Sequence, residues 1–444
     1  MDRRCSGLVL LLAGWIAVLV SGQGGAQPNG SGTTITYYVA PSGSDSNPGT
    51  LARPFATLRQ AQTKVRSHIK DGLDDNIMVL VRGGTYELGE PLVFGPDDSG
   101  TKEQSITYAS YPRERVVISG GKAVVNWKKL NSTLWAAEID ADCHFEQFYV
   151  NDHRAVCART PNADADPARW HLASAEYEMP PDRGQPTALN VTVSEGRLRK
   201  WSNIENVQVV VFKDWATFRK QVAGVDPSNR RVKLKGPFIR PPTNPGKHNS
   251  LHTRERQKMY TCYFEGSPDM IDRPAEWAIN RDKSRVEYRP RPGETVRDLA
   301  AVRPVASQLL VLAGTSGRPL LNLHFRGLRF AHCRYDLPAR GHDGRQAVEF
   351  YSGGWNVPAK ERILPAAVEW RFARNCSFCG CRVSHVGANG IALLDGCQDN
   401  LLEGNHVFDT GGNCIMLGTD ADPGISSTAL VRGNAMKNNW VHLG

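Results

Sequence analysis

Residues 377–417 read SFCGCRVSHVGANGIALLDGCQDNLLEGNHVFDTGGNCIML, and the stretch repeats on itself. Ser377-Phe378-Cys379-Gly380-Cys381 aligns with Leu401-Leu402-Glu403-Gly404-Asn405 at an offset of 24. The same offset carries Gly387-Ala388-Asn389-Gly390-Ile391 onto Gly411-Gly412-Asn413-Cys414-Ile415. At an offset of 29, Gly404-Asn405 falls on Gly433-Asn434, and an earlier copy is Phe325-Arg326-Gly327-Leu328-Arg329-Phe330. A period of this size, built from short strands and turn asparagines, marks a solenoid. The skeleton and helical half of a leucine-rich repeat are missing. The pattern that remains is a coil of parallel strands, in which successive turns stack ~4.8 Å apart and asparagines hydrogen-bond up a ladder.

Outward from this stretch, composition agrees. The 444 residues are 40% hydrophobic and 22% charged, enough for a large core, so a disulfide miniprotein and a disordered chain are excluded. The 42 glycines and 27 prolines exclude a helical bundle and suit strands joined by tight turns. Tyr37-Tyr38-Val39 reads as a strand. Pro54 to Lys70 reads as a helix capped by Thr57, with Leu58, Ala61, Val65 and Ile69 on one face. Ile77 to Val81, Ile106 to Tyr108 and Val116 to Ile118 read as further strands. From 122 to 305 tryptophans, prolines and charges mix, and Val207 to Phe212 and Arg231 to Leu234 alternate as half-exposed strands do, which predicts an antiparallel β insertion. The domain reading is a leader (1–26), a polar linker (27–33), an N-terminal cap with the first rungs (34–121), the insertion (122–305) and the main coil (306–444). The chain stops at Val441-His442-Leu443-Gly444 inside a strand pattern without a polar cap, so the expectation is a coil truncated there.

Arg3 and Arg4, the 13 apolar residues Leu8 to Val20 and the small residues Gly24-Gly25-Ala26 form a secretory signal pattern. Thirteen residues are short for a membrane span of ~20. The expectation is a monomer that is secreted, periplasmic or on the cell surface, with no membrane attachment after cleavage. Removing residues 1–26 lowers the formal charge from +9 to +8, and the lysines and arginines are scattered, so a nucleic-acid partner is not expected. Nine of ten cysteines remain, an odd number. Cys376, Cys379 and Cys381 suggest zinc, but no second Cys/His pair completes four ligands. Cys379 and Cys381 read as packing residues on one strand face.

The opening YYVAPSGSDSNPGTLARPFATLRQAQ (37–62) and RGGTYELGEPLVFGPDDSGTKEQSITYASYPRERVVISGG (82–121) resemble the first part of secreted right-handed parallel β-helix carbohydrate enzymes. Arg159-Thr160-Pro161-Asn162 and FEGSPDMIDRPAEWAINRDKSRVEYRPRPGE (264–294) are similar to β-helix glycoside hydrolases of the fucosidase/xylanase type, within the pectin-lyase-like superfamily. The resemblance implies an all-β, right-handed parallel β-helix with an N-terminal capping helix and an inserted antiparallel region. It implies activity on a polysaccharide or glycoconjugate, and a glycoside hydrolase first of all. The alternatives are a Ca²⁺-dependent polysaccharide lyase on the same scaffold and a glycan-binding β-helix without activity.

Glycoside cleavage asks for two carboxyl groups, and a coil supplies them by stacking. At an offset of 24, His385 stacks on Asp409 with Asn438 beneath, and Asp395 stacks on Thr419 beside Asp420 and Asp422. These columns give Asp409, Asp395 and Asp420 as catalytic candidates, with His385 and Asn438 binding substrate. His342 and Trp355 are further sugar-binding candidates. Asp399, Glu265 and Glu276 read as structural, and Trp370 as core. No cofactor is expected for a hydrolase. A lyase would hold Ca²⁺ through Asp420 and Asp422.

Overall fold

A computed structural model describes residues 33–162, 171–178, 188–193, 198–212, 217–236, 260–339, 341–343, 363–418 and 426–442. In Asn76–Val81 every second side chain, Ile77, Val79 and Val81, is buried. This alternation recurs through three parallel sheets. The first runs Thr34–Val39, Asn76–Val81, Ile106–Ser110, Leu323–Arg326, Ser377–Cys379, Leu401–Glu403 and Ala435–Lys437. The second runs Gly84–Glu87, Val116–Ser119, Arg329–Cys333, Arg382–Val386, His406–Thr410 and Trp440–His442. The third holds Leu92–Phe94, Leu310–Ala313, Ala366–Arg371, Asn389–Leu393 and Ile415–Leu417. The chain visits the sheets in turn and stacks each strand on its predecessor. The described residues are thus all-β apart from one α-helix, Leu58–Asp71, where the side chain of Thr57 accepts from the Gln60 amide and Leu58, Ala61 and Val65 are buried.

The sheets enclose one apolar interior. Phe94, Tyr108 and Phe325 pack ring to ring at its centre, and Trp370 is fully buried against Phe378. The offset of 24 is the true register: Ser377 pairs with Leu401, Arg382 with His406 and Ile391 with Ile415. Phe325 lies on Phe378 and Phe330 on Val383, so the earlier copy is a rung as well.

The expected offset of 29 is wrong. Leu401 pairs with Ala435 and His406 with Trp440, which is an offset of 34. The added length lies between Leu417 and Val431, where the sequence carries no repeat that an ungapped alignment could follow. Gly404-Asn405 therefore falls on Asn438-Asn439. Asn438 occupies the left-handed turn position held above it by Gly404 and Gly380, with φ of 54°, 64° and 61°. It does not lie beneath Asp409.

The asparagine ladders form at the corners of the first sheet. Asn405 is buried. Its Oδ1 accepts from the Cys381 amide at 2.9 Å, and its Nδ2 donates to the Phe378 carbonyl at 2.8 Å. Asn400 does the same for Cys376 and Ala373. Cys376 and Cys381 thus sit at ladder positions that asparagine fills in later rungs. Gly380 turns the chain between Cys379 and Cys381, so these two do not share a strand face. Among the described residues no group of three metal-binding side chains gathers. Replacing Asn405 with Ala leaves the Cys381 amide without its Oδ1 acceptor and takes the Nδ2 donor from the Phe378 carbonyl, a loss of about 1–3 kcal/mol. The expected result is a lower denaturant midpoint with an unchanged slope.

Segment 121–304 leaves the coil and returns beside itself, because Gly121–Val124 pairs antiparallel with Ala301–Pro304. In between lie sheets of mainly antiparallel strands. One cluster of buried side chains forms around Val191, Val209, Val232 and Phe264, and another around Trp135, Phe148, Trp277 and Tyr288. A tight hairpin of this segment lies against the second sheet. In it Tyr149–Val150 pairs with His153–Arg154, and the turn residues Asn151 and Asp152 have φ of 53° and 61°. Two positive φ values in a two-residue loop are the mirror-image turn that suits the strand twist, and Asn and Asp tolerate it.

Candidate functional site

In the second sheet Ala331, Ser384 and Phe408 stack in register, as do Cys333 and Val386, and Val386 and Thr410. The residues between them are His332, His385 and Asp409, with φ of 63°, 60° and 50°. Three side chains in the left-handed region on successive rungs store backbone strain, and such strain gathers at functional positions.

His385 is the centre of the column, with its side chain 3% exposed. Its Nδ1 faces Asp409 Oδ2 at 2.5 Å and its Nε2 faces Asp152 Oδ1 at 3.0 Å. A carboxylate thus stands at each ring nitrogen. The two carboxylates are thereby held apart by the width of one imidazole. The hairpin delivers Asp152 from the insertion, and Arg154 two residues on. Arg154 Nε donates to Asp409 Oδ1 at 2.6 Å, and its Nη2 donates to the Val386 and Asp409 carbonyls. Arg329 donates to both oxygens of Asp152 at 2.5 and 3.2 Å. Tyr149 and His332 pack their rings on His385.

Burial alone would raise the Asp409 pKa. The hydrogen bond from His385 and the Arg154 guanidinium outweigh it and hold the carboxyl below its ordinary value. Asp152 falls to about 2, since burial is again outweighed by Arg329 and then His385. Both are carboxylates at neutral pH. The Asp152 side chain is 45% exposed and that of Asp409 is 19%, so Asp152 meets solvent more freely. His332 drops to about 3, chiefly through burial and then through the charges of His385 and Arg329, and stays neutral. The column opens onto a groove of about 550 Å³ lined by Asp152, Arg154, Arg291, Arg382, Phe408 and Asp409.

Arg154 also borders a larger cleft of about 700 Å³ between insertion and coil, with Glu146, Arg159, Arg219, Glu265 and His342 on its walls. His342 reaches it through a short strand pairing with Arg219. Burial first, then Arg219 and Lys220, brings His342 down to about 4. Glu265 is neutralised by an ion pair with Arg219. His342 Nδ1, Arg159 Nε and Glu146 Oε2 are buried without partners among the described residues. Three orphaned polar atoms in one cleft are what a polar ligand would satisfy. Gly411 and Gly412 line it too. They do not open space at the turn, as a Cβ on Gly411 would lie 2.1 Å from the Gly387 carbonyl oxygen, so glycine here permits close stacking.

The structure thus joins His385 to Asp409 and places His342 in the adjoining cleft. Asp395 goes elsewhere: it follows Asn389–Leu393 in the third sheet, pairs with Arg371 at 2.6 Å and lines neither cavity. Asn438 is a turn residue one corner away. Trp355, Asp420 and Asp422 lie outside the described residues. Glu276 accepts from the Asp272 and Arg273 amides, a structural use. Asp152, Arg154, Arg329 and Glu146 were missed. The Asn151-Asp152 turn was the one local signal for the first two, and nothing in it points to a partner more than 200 residues away.

No protein-family model matches the chain. Over 95 residues it is 40% identical to the uncharacterized protein YwoF of Bacillus subtilis (strain 168), a match taking in 21% of this chain and 17% of that protein. A solved structure titled "Glycoside hydrolase" superposes with a TM-score of 0.75 at 21% identity, over 92% of this chain and 73% of that one. At that identity the likeness shows the fold, a β architecture shared along nearly the whole chain.

Proposed function

We propose that this protein is an exported, carbohydrate-active enzyme on a right-handed parallel β-helix, and that it hydrolyses glycosidic bonds in a polysaccharide. One observation carries the reading: two ionised carboxylates, Asp152 and Asp409, flank His385 on the wall of an open groove. The His385 ring fills the space between these two carboxylates, so the attacking water sits on their groove side. Asp152, the more exposed, is placed to take the proton of that water. Asp409 and Arg154 fix the imidazole that positions it. Glu146, with an unpartnered oxygen in the adjoining cleft, is the second carboxyl that a bound glycan would meet. The fold shared with a structure titled as a glycoside hydrolase supports the class and leaves the sugar open.

The test is a panel of plant and microbial polysaccharides, read as new reducing ends with the anomeric form of the first product followed by NMR. Release of new reducing ends from one polymer is the expected result, and the anomeric form of the first product assigns retaining or inverting chemistry. Unsaturated uronate ends with chelator sensitivity would reassign the chemistry to β-elimination. Binding without turnover across the panel would leave a glycan-binding coil. Export predicts that the protein recovered outside the cytoplasm lacks the leader ending near Ala26.

A further inference from the structure

We propose that Arg382 recognises an anionic group, a carboxylate or a sulfate, on the sugar chain that occupies the groove, so that the substrate class is an acidic glycan. The inference rests on the glycan-active reading above and narrows it.

The charges along the groove do not balance. Arg329 is paired with Asp152, Arg154 with Asp409, and Arg291 with Glu294 at 3.5 Å. Arg115 reaches Asp152 at 3.6 Å. Arg382 lines the same groove, yet among the described residues its side chain has no ion pair, and its Nε is buried without a partner. A buried donor left unmade carries its desolvation penalty, larger for a charged group, and a ligand that satisfies it removes that penalty.

Its position is built rather than accidental. Arg382 opens Arg382–Val386 and stacks in register between Arg329 and His406. Its guanidinium lies over the Phe408 ring at 4.5 Å, which fixes the plane of the fork. Burial, then the neighbouring Arg329 charge, pulls its basicity down, with Asp152 in partial opposition and Arg115 adding to the strain. An incoming anion relieves both burdens at once. The planar fork fits the two oxygens of a carboxylate or sulfate, which a neutral hydroxyl does not offer. His385 and Asp409 border the same groove, so the anion sits on the sugar chain within reach of the column.

The experiment measures binding, so it does not depend on turnover. Wild type, R382Q and R382K are compared by affinity electrophoresis in gels containing a polyuronate, a sulfated polysaccharide or neutral xylan, with circular dichroism and melting temperature as folding controls. Wild type is expected to be retarded by one acidic polymer more than by xylan, and high salt should abolish the difference. R382Q should bind that polymer about tenfold more weakly, the loss of one charge-assisted pair of hydrogen bonds, with xylan retardation unchanged. R382K should recover part, since it keeps the charge and loses the fork. Which polymer responds separates carboxylate from sulfate. Equal retardation of folded R382Q and wild type by both acidic polymers, or preference for xylan, overturns the inference. Arg382-dependent binding without turnover of any polymer would sink the hydrolase reading and leave this one standing. Turnover of a neutral polymer, indifferent to R382Q, would do the reverse.

Discussion

Asp409→Asn is expected to lower turnover on a confirmed substrate by on the order of 10³-fold, the scale on which losing a carboxylate that orients a working histidine acts. Asn keeps the shape and loses the charge that holds His385 and Arg154 together. Asp409 accepts from both, one on each oxygen. An amide has one oxygen, so its NH₂ must face one of the two donors. The same change therefore costs about 3 kcal/mol, because a buried cation loses its partner. The two effects separate cleanly: turnover is measured per folded molecule well below the melting transition, with circular dichroism alongside. Asp399→Asn is the control, since Asp399 sits at a left-handed turn with φ of 57° and should do little. Near-normal turnover by Asp409→Asn would remove that residue from the chemistry and pass the choice to Asp152 and Glu146.

The second large effect is acid sensitivity. His342 is buried and His324 and His332 are half-buried, and desolvation lowers His324, His332 and His342 to about 4, about 3 and about 4. The unfolded chain titrates them near pH 6.5. The native state thus binds fewer protons, and stability is full above pH 6.5 and falls as pH drops toward 4. Each histidine costs about 2 kcal/mol at pH 5, so three together remove about 6 kcal/mol, a large share of an ordinary margin. Asp152 acts in a lower window. Its depressed pKa adds stability that is present above about 4 and is lost as pH falls through about 2. The measurement is the urea midpoint at pH 7.5 and pH 5. His324→Gln should shrink the difference by about a third, because burial first and then the nearby Arg326 charge hold its ring neutral where it sits between Ser377 and Asn322. An unchanged midpoint would refute the account.

What could be read from the chain was whatever repeats locally. The Thr57 cap, the strands at Ile77 and Val116 and the 24-residue register follow from periodicities of a few residues. His385 and Asp409 were legible as a column for the same reason. The rung at Ala435–His442 was misplaced, because the longer connection before it adds residues with no periodic signal, and Asn438 was misassigned with it. Asp395 was expected near Asp409 on the strength of strand-end position alone, but Asp409 lies within a strand of the second sheet and Asp395 follows a strand of the third. The Asp152–Arg154 hairpin was invisible as a site. It pairs across the fold with residues that no local pattern connects to it, and its own sequence reads as an ordinary turn.

The same hairpin governs how the site comes into being. Arg154 and Asp409 are 255 residues apart in sequence, and the insertion lies between coil segments that must already be wound for the column to exist. Closing so long a loop is slow and entropically late, whereas the rungs form from near neighbours. A coil with native-looking sheets and an undocked hairpin is therefore an inert species, with His385 lacking one of its carboxylates. Competence appears only at the last step of assembly, when two separately nucleated pieces meet.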